Sequence, residues 1–236
     1  NCVEWTIAQF AAFKAGIILV NLNPAYKSSE LEFVLNKVSC KALIIAASFK
    51  TTDYQEILTK IAPEISEAHD KILNAAKLPH LKAVIKIDDI EQVGFHRFSD
   101  LMPEPTNEQF AQLEAIAADL QFDETINIQF TSGTTGNPKG TMLTHNNILN
   151  NGYFVGEAIH LTPQDRVCIS VPLFHCFGMV MGNLACITHG STMVYPAAVF
   201  NPLESLKAIE QEKCTAAYGV PTMFISMLEQ EQFDQF

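Results

Sequence analysis

Between Val167 and Leu203 the sequence contains no Asp, Glu, Lys or Arg. Such a segment has to leave water, either within a membrane or within a protein core. Pro172, His175, Gly178, Gly182, Asn183, His189, Gly190 and Pro196 punctuate it. No run reaches the roughly 18 clean apolar residues that a spanning helix needs. It reads as core. The whole chain has 236 residues, 48% of them hydrophobic and 17% charged. At about 150 residues per domain that is one or two compact units with a large interior. Disorder, a collagen-like repeat and a disulfide-stapled miniprotein are excluded.

The formal net charge is −11, and the 15 Lys and Arg are spread along the chain. A face that tracks a nucleic-acid backbone is therefore not expected. Acidity does not exclude an anionic ligand held by local groups. The six cysteines (Cys2, Cys40, Cys168, Cys176, Cys186 and Cys214) form no Cys-x-x-Cys pair and show no zinc-type spacing. They read as free thiols in a reducing compartment. The chain opens at Asn1 without a basic-then-apolar leader and closes at Phe236 in a helical pattern. These ends read as those of a piece of a longer protein.

Periodicity alternates between helix and strand. Trp5 to Ala15 reads as a helix stopped by Gly16, and Ile17 to Val20 as a strand buried on both faces. Ser29 and Glu32 have capping-box spacing ahead of Leu31, Val34, Leu35 and Val38, one face of a helix. A strand at 41–46, a helix at 53–61 and a strand at 83–87 follow. Residues 88–121 read as a polar excursion with one helix, 108–118. Ile126 to Phe130 is a strand entering a Gly-rich loop, with a helix at 146–159 beyond it. A second set then runs strand 167–171, helix 177–187, strand 192–195, helix 202–212, strand 216–218 and helix 222–229. This alternation predicts an α/β fold with mostly parallel sheets, in two lobes divided near residue 160 (1–160 and 161–236).

The most informative segment is Thr131-Ser132-Gly133-Thr134-Thr135-Gly136-Asn137-Pro138-Lys139-Gly140. Its glycines let the backbone approach a ligand, its hydroxyls add neutral donors, and Lys139 adds a positive charge. That set suits a polyphosphate. A flexible linker has the same composition, but needs neither a buried strand before it nor a Pro-Lys-Gly exit. The Walker pattern ends Gly-Lys-Ser/Thr, and here Gly140 follows Lys139.

The segment Phe130 to His145 resembles the signature loop of the adenylate-forming superfamily, which includes acyl-CoA synthetases, firefly-type luciferases and peptide-synthetase adenylation domains. Pro172-Leu173-Phe174-His175 with Phe177-Gly178 resembles the next motif of that superfamily. Tyr218-Gly219-Val220-Pro221-Thr222-Met223-Phe224 resembles the stretch forming one wall of its carboxylate pocket. Asn23-Pro24-Ala25-Tyr26, Glu30-Leu31 and Asn127-Ile128-Gln129-Phe130 look most like medium-chain acyl-CoA synthetases.

This resemblance implies two stacked αβα lobes of a truncated N-terminal domain. It implies an ATP-dependent fatty acid–CoA ligase that forms an acyl-adenylate, releases pyrophosphate and passes the acyl group to coenzyme A. Thr131, Ser132, Gly133, Thr134, Thr135, Gly136 and Lys139 would bind the phosphates, with Thr134 on Mg²⁺ beside a Glu absent from this chain. His175 and Lys139 would be catalytic. Phe174, His175, Phe177, Gly178, Pro221 and Thr222 would meet the carboxylate and acyl chain, with Met179, Val180, Met223 and Phe224 along a hydrocarbon tunnel. The later motifs of the superfamily are missing, so the chain alone is expected to be inactive.

Expected partners are small molecules (fatty acid, ATP and coenzyme A), without nucleic acid or a membrane span. The location is cytoplasmic, or the mitochondrial matrix if a presequence lies upstream. Rival readings are another acid–CoA ligase, an enzyme loading a carrier protein, a non-catalytic nucleotide-binding module and a Walker-type phosphohydrolase.

Overall fold

The computed structural model describes residues 1–49, 52–131 and 138–236. In chain order the elements are α1 (Val3–Lys14), β1 (Leu19–Asn21), α2 (Ser28–Lys37), β2 (Ala42–Ile45), β3 (Ser48–Phe49) and β4 (Thr52–Asp53). They continue with α3 (Tyr54–Ile61), β5 (Ala83–Lys86), β6 (His96–Arg97), α4 (Asn107–Asp119), β7 (Thr125–Thr131) and β8 (Lys139–Thr144). Then come α5 (His145–Ala158), β9 (Arg166–Ile169), a π-helix (Phe177–Leu184) running into α6 (Ala185–His189), and β10 (Thr192–Val194). The last are α7 (Pro202–Gln211), β11 (Ala216–Tyr218) and α8 (Pro221–Leu228).

Contacts divide the chain into two units, one of residues 1–21, 112–130 and 140–236, the other of residues 22–111 and 131–139. In the first unit, β9 is the middle strand of three, with β10 and β11 both parallel to it. A middle strand loses solvent on both faces, and Val167, Cys168 and Ile169 are fully buried. Val171, Leu173, Ala185 and Cys186 complete that core, with Trp5, Phe177, Tyr195 and Tyr218 packed against it. β7 forms another sheet between β1, parallel to it, and β8. Phe13, Ile126, Ile148, Met179, Val180 and Leu184 form the core beside that sheet. Gly152 of α5 lies so close to Leu184 that an added Cβ would stand 2.6 Å from the leucine Cβ. The charge-free segment thus supplies much of both cores.

In the second unit, β2, β5 and β6 form a parallel sheet in that order, and β3 pairs antiparallel with β4. Asp53 caps α3 by accepting from the Gln55 and Glu56 amides. Lys86 ends β5 almost fully buried, its Nζ 3.0 Å from Gln92 Oε1, 3.2 Å from Asp88 Oδ1 and 5.7 Å from the centre of the Phe95 ring. A charge at the end of an apolar strand persists there because its donors are taken up locally.

Several local expectations are corrected. Ile17 and Ile18 are exposed, and the strand starts only at Leu19. The reach-back bond at the start of α2 is donated by the Lys27 amide to the Glu30 carboxylate, and does not involve the Ser29–Glu32 pair. β6 and β8 are strands in segments read as loop, because pairing with β5 and β7 outweighs their weak local pattern. The final helix closes at Leu228, followed by a short 3₁₀ turn at Phe233–Gln235. Gly16 and Gly190 do terminate their helices with φ of +65° and +70°.

The turn into β9 is tied to β11 by Asp165. Its carboxylate accepts from the Thr215 hydroxyl at 2.7 Å, and from the Thr162 amide and hydroxyl at 2.7 and 2.8 Å. These hydrogen bonds hold it below the ordinary value of 3.8. A carboxylate whose folded pKa is depressed contributes stability above its unfolded value and loses it as pH falls through the folded one. Asp165→Asn should therefore lower the melting temperature at pH 7, and the gap to the parent chain should close below about pH 4. Parallel melting curves over that range would contradict this role.

Candidate active site

The loop expected to hold phosphate is framed by Thr131, the last residue of β7, and Lys139, the first of β8. The Thr131 hydroxyl donates to the Lys139 carbonyl at 3.4 Å, so the two ends of the loop meet. Both residues are exposed, and among the described residues Lys139 has no ion-pair partner. Ser132, Gly133, Thr134, Thr135 and Gly136 lie outside the described residues. No group of three His, Cys, Asp or Glu able to hold a metal ion occurs among the described residues.

A separate group of candidate residues forms a corner in the first unit between β9 and the π-helix. The His175 amide donates to the Pro172 carbonyl at 3.2 Å, and the Met179 amide donates to the His175 carbonyl at 3.0 Å. Gly178 sits inside this turn. A Cβ there would stand 2.3 Å from the Pro172 oxygen, so only glycine lets the helix start so close to the incoming backbone. Asn1 braces the same segment: its side chain donates to the Ile169 and Val171 carbonyls and accepts from the Leu173 amide.

His175 is exposed, and its Nδ1 accepts the Phe177 amide at 3.1 Å. That bond occupies the Nδ1 lone pair, so the neutral ring carries its proton on Nε2 and presents an N–H donor. Cys176 Sγ lies 3.6 Å from the same nitrogen. Phe174 is half-buried. The Phe177 ring meets Tyr218 edge-on at 5.5 Å, and both rings and Met223 pack against the β9 core. The Tyr218 hydroxyl is buried without a hydrogen-bond partner among the described residues, and burial pushes its pKa up to about 12. Pro221 and Thr222 are exposed in the first turn of α8.

Met179 and Val180, expected beside a hydrocarbon chain, are core residues instead. They face Ile126 of β7, Ile148 of α5 and Phe13 of α1. The sulfur of Met179 accepts from the Asn21 and Gln129 side-chain amides at 3.3 and 3.6 Å. Sequence reasoning passed over those polar partners. The available signal was polar Asn127 and Gln129 within a buried strand, and Asn183 within the charge-free segment.

Gly178→Ala should lower the melting temperature by an amount equivalent to about 1–3 kcal/mol, the usual cost of overpacking. It should also weaken the Phe177–His175 bond, seen as a change in the His175 ring-nitrogen shifts by NMR. Unchanged melting and unchanged shifts would show that the turn is looser than described.

The AMP-binding enzyme family model matches residues 1–236. The chain is 43% identical over 238 residues to the mitochondrial medium-chain acyl-CoA ligase ACSF2 of Danio rerio, covering all of this chain and 39% of that protein. It is 40% identical over 240 residues to ACSF2 of Homo sapiens, with the same coverage. The chain thus spans about two fifths of the length of these relatives. Among solved structures, the anthranilate CoA ligase AuaEII in complex with anthranoyl-AMP superimposes with a TM-score of 0.74 at 24% identity, over all of this chain and 41% of that one. That likeness shows the fold, an α/β domain with mostly parallel sheets. Matched along its whole length, the chain belongs to the AMP-binding enzyme family.

Proposed function

We propose that this chain is the part of an ATP-dependent fatty acid–CoA ligase that holds the triphosphate and the reacting carboxylate. The observation that carries the reading is the exposed His175 corner, where the Phe177 amide donates to Nδ1 and leaves Nε2 to carry the proton of the neutral ring. The substrate class follows the ACSF2 relatives, which are named medium-chain acyl-CoA ligases. Residues 1–160 would carry the phosphate-binding lobe and 161–236 the start of the next.

In the proposed reaction a carboxylate oxygen attacks the α-phosphorus of ATP and pyrophosphate leaves. The thiol of coenzyme A then attacks the acyl carbonyl and AMP leaves. The residues of this chain position the reactants and stabilise charge, and none forms a covalent intermediate. Lys139 would set its ammonium against the β- and γ-phosphates, with Thr131, Ser132, Gly133, Thr134, Thr135 and Gly136 as backbone and hydroxyl donors. His175 Nε2–H would donate to the carboxylate or the α-phosphate oxygen. Phe174, Phe177 and Gly178 would border the acyl group, with Pro221 and Thr222 opposite. Mg²⁺, when bound, would neutralise phosphate charge, with Thr134 as one ligand. The protein would work in the mitochondrial matrix if its source resembles the animal relatives, and in the cytoplasm otherwise.

Calorimetric titration of the chain with a non-reactive octanoyl-adenylate mimic tests the assignment. Saturable binding, with an aryl-adenylate mimic about tenfold weaker or worse, is expected; a folded chain that binds neither overturns it. Lys139→Ala should weaken ATP by about 10–100-fold, the worth of a charge-assisted hydrogen bond, while adenosine changes little. Equal losses for ATP and adenosine would remove Lys139 from phosphate binding.

A further inference from the structure

The π-helix at Phe177–Leu184 is held on its buried side by polar groups rather than by apolar packing alone. Two of its residues, four apart, are the anchor points. At Met179 the sulfur accepts from Asn21 of β1 and Gln129 of β7, and Asn21 Oδ1 in turn accepts from Asn127 at 3.4 Å. At Asn183 three side chains close a ring. Asn183 Nδ2 donates to the Thr6 hydroxyl at 3.2 Å, Thr6 pairs with the Tyr195 hydroxyl at 2.7 Å, and Tyr195 donates back to Asn183 Oδ1 at 2.8 Å. The same Nδ2 reaches Gln9 Oε1 of α1 at 3.0 Å. Gln9, Asn127, Met179 and Asn183 are all fully buried.

This arrangement is not what stability alone selects. Among the described residues, Gln9 Nε2 and Asn127 Oδ1 are buried without a hydrogen-bond partner, which is unfavourable. Replacing such a network with apolar residues of similar volume is often neutral or stabilising. What a directional network adds is register: an apolar face can rotate or slide by a fraction of a turn, but a closed hydrogen-bond ring cannot. π-winding over eight residues is rare, and rotational register matters most where the helix start carries function. Here that start is Phe177, whose amide fixes the His175 ring.

We propose that Met179 and Asn183 are positioning residues: they lock the register of the π-helix and, through the Phe177 amide, the tautomer and direction of His175. The inference rests on the reading of the His175 corner as the reacting site. The anchoring side chains come from α1, β1, β7 and Tyr195 just after β10, so the corner is aligned by elements distant from it in sequence.

The test opens the ring and removes both partners of the Asn183–Gln9 bond with Gln9→Met/Asn183→Leu, while Thr6 and Tyr195 keep each other as hydrogen-bond partners. Met179→Leu is the second probe; it conserves volume and deletes only the acceptor. Three readouts are taken: the melting temperature, the His175 ring-nitrogen shifts with Phe177–Leu184 amide exchange by NMR, and calorimetric affinity for the octanoyl-adenylate mimic. In both variants a melting temperature within a few degrees of the parent is expected, with a shift of His175 from the Nε2–H form to a tautomer mixture. Amide exchange at Phe177 and the mimic dissociation constant should each rise by about tenfold in the double variant, and by less in Met179→Leu. Parent-like tautomer and exchange in a folded variant overturn the proposal. If the double variant does not fold, the same readouts on Met179→Leu decide. If the parent chain binds no mimic, the ligase reading falls, while tautomer and exchange still decide the lock.

Discussion

The structure turns on the burial of a backbone segment that has no charged side chain to hold it in water. From Val167 onward the chain can be satisfied only where its amides and carbonyls pair and its side chains find apolar neighbours. β9 answers both demands by running between two parallel partners, with Val167, Cys168 and Ile169 closed off on both faces. Once that strand is central, the corner at its carboxyl end is fixed. The chain must turn at Pro172 and start a helix at once, and Gly178 is what allows the helix to pack on the turn.

The carboxyl ends of parallel strands are where open α/β sheets bind ligands, because the connecting loops diverge there and helices begin with free N–H groups. Both motifs picked out for chemistry sit at such ends. The Gly-rich loop follows β7, and the His175 corner follows β9. β9 is buried and His175 beyond it is exposed, so the ring stands on a rigid support. The ring is held not by a distant partner but by the amide two residues on, so its chemistry depends on how the helix begins.

The π-helix makes that dependence longer in range. Its buried side is read by amides and hydroxyls from α1, β1, β7 and Tyr195 just after β10, so the first turn of the helix inherits the alignment of the sheet beside it. Met179 shows the consequence. A thioether is a weak acceptor that normally packs as a hydrophobe. Here two amides converge on its sulfur, and a residue placed beside an acyl chain by sequence position is part of the core.

Much of this was legible in the residues. Period alone located the strands at Ala42–Ile45, Ala83–Lys86 and Ala216–Tyr218 to within a residue or two, because the strands of a parallel sheet are short apolar runs between helices. The loop at 131–140 stood out through its glycines, hydroxyls and lysine after a strand, and the His175 corner through its resemblance to the next superfamily motif. The sequence alone determined the α/β class, which rests on local periodicity, and carried the two motifs whose resemblance pointed to the family. Only the tertiary structure decided that Ile17 and Ile18 face water, that His96–Arg97 and Lys139–Thr144 are strands, that Lys86 is buried, and that Met179 and Asn183 are anchors. Those outcomes depend on partners more than ten residues distant or on neighbouring polar groups, and the free energy of pairing or burying them is a property of the assembled neighbourhood rather than of the local chain.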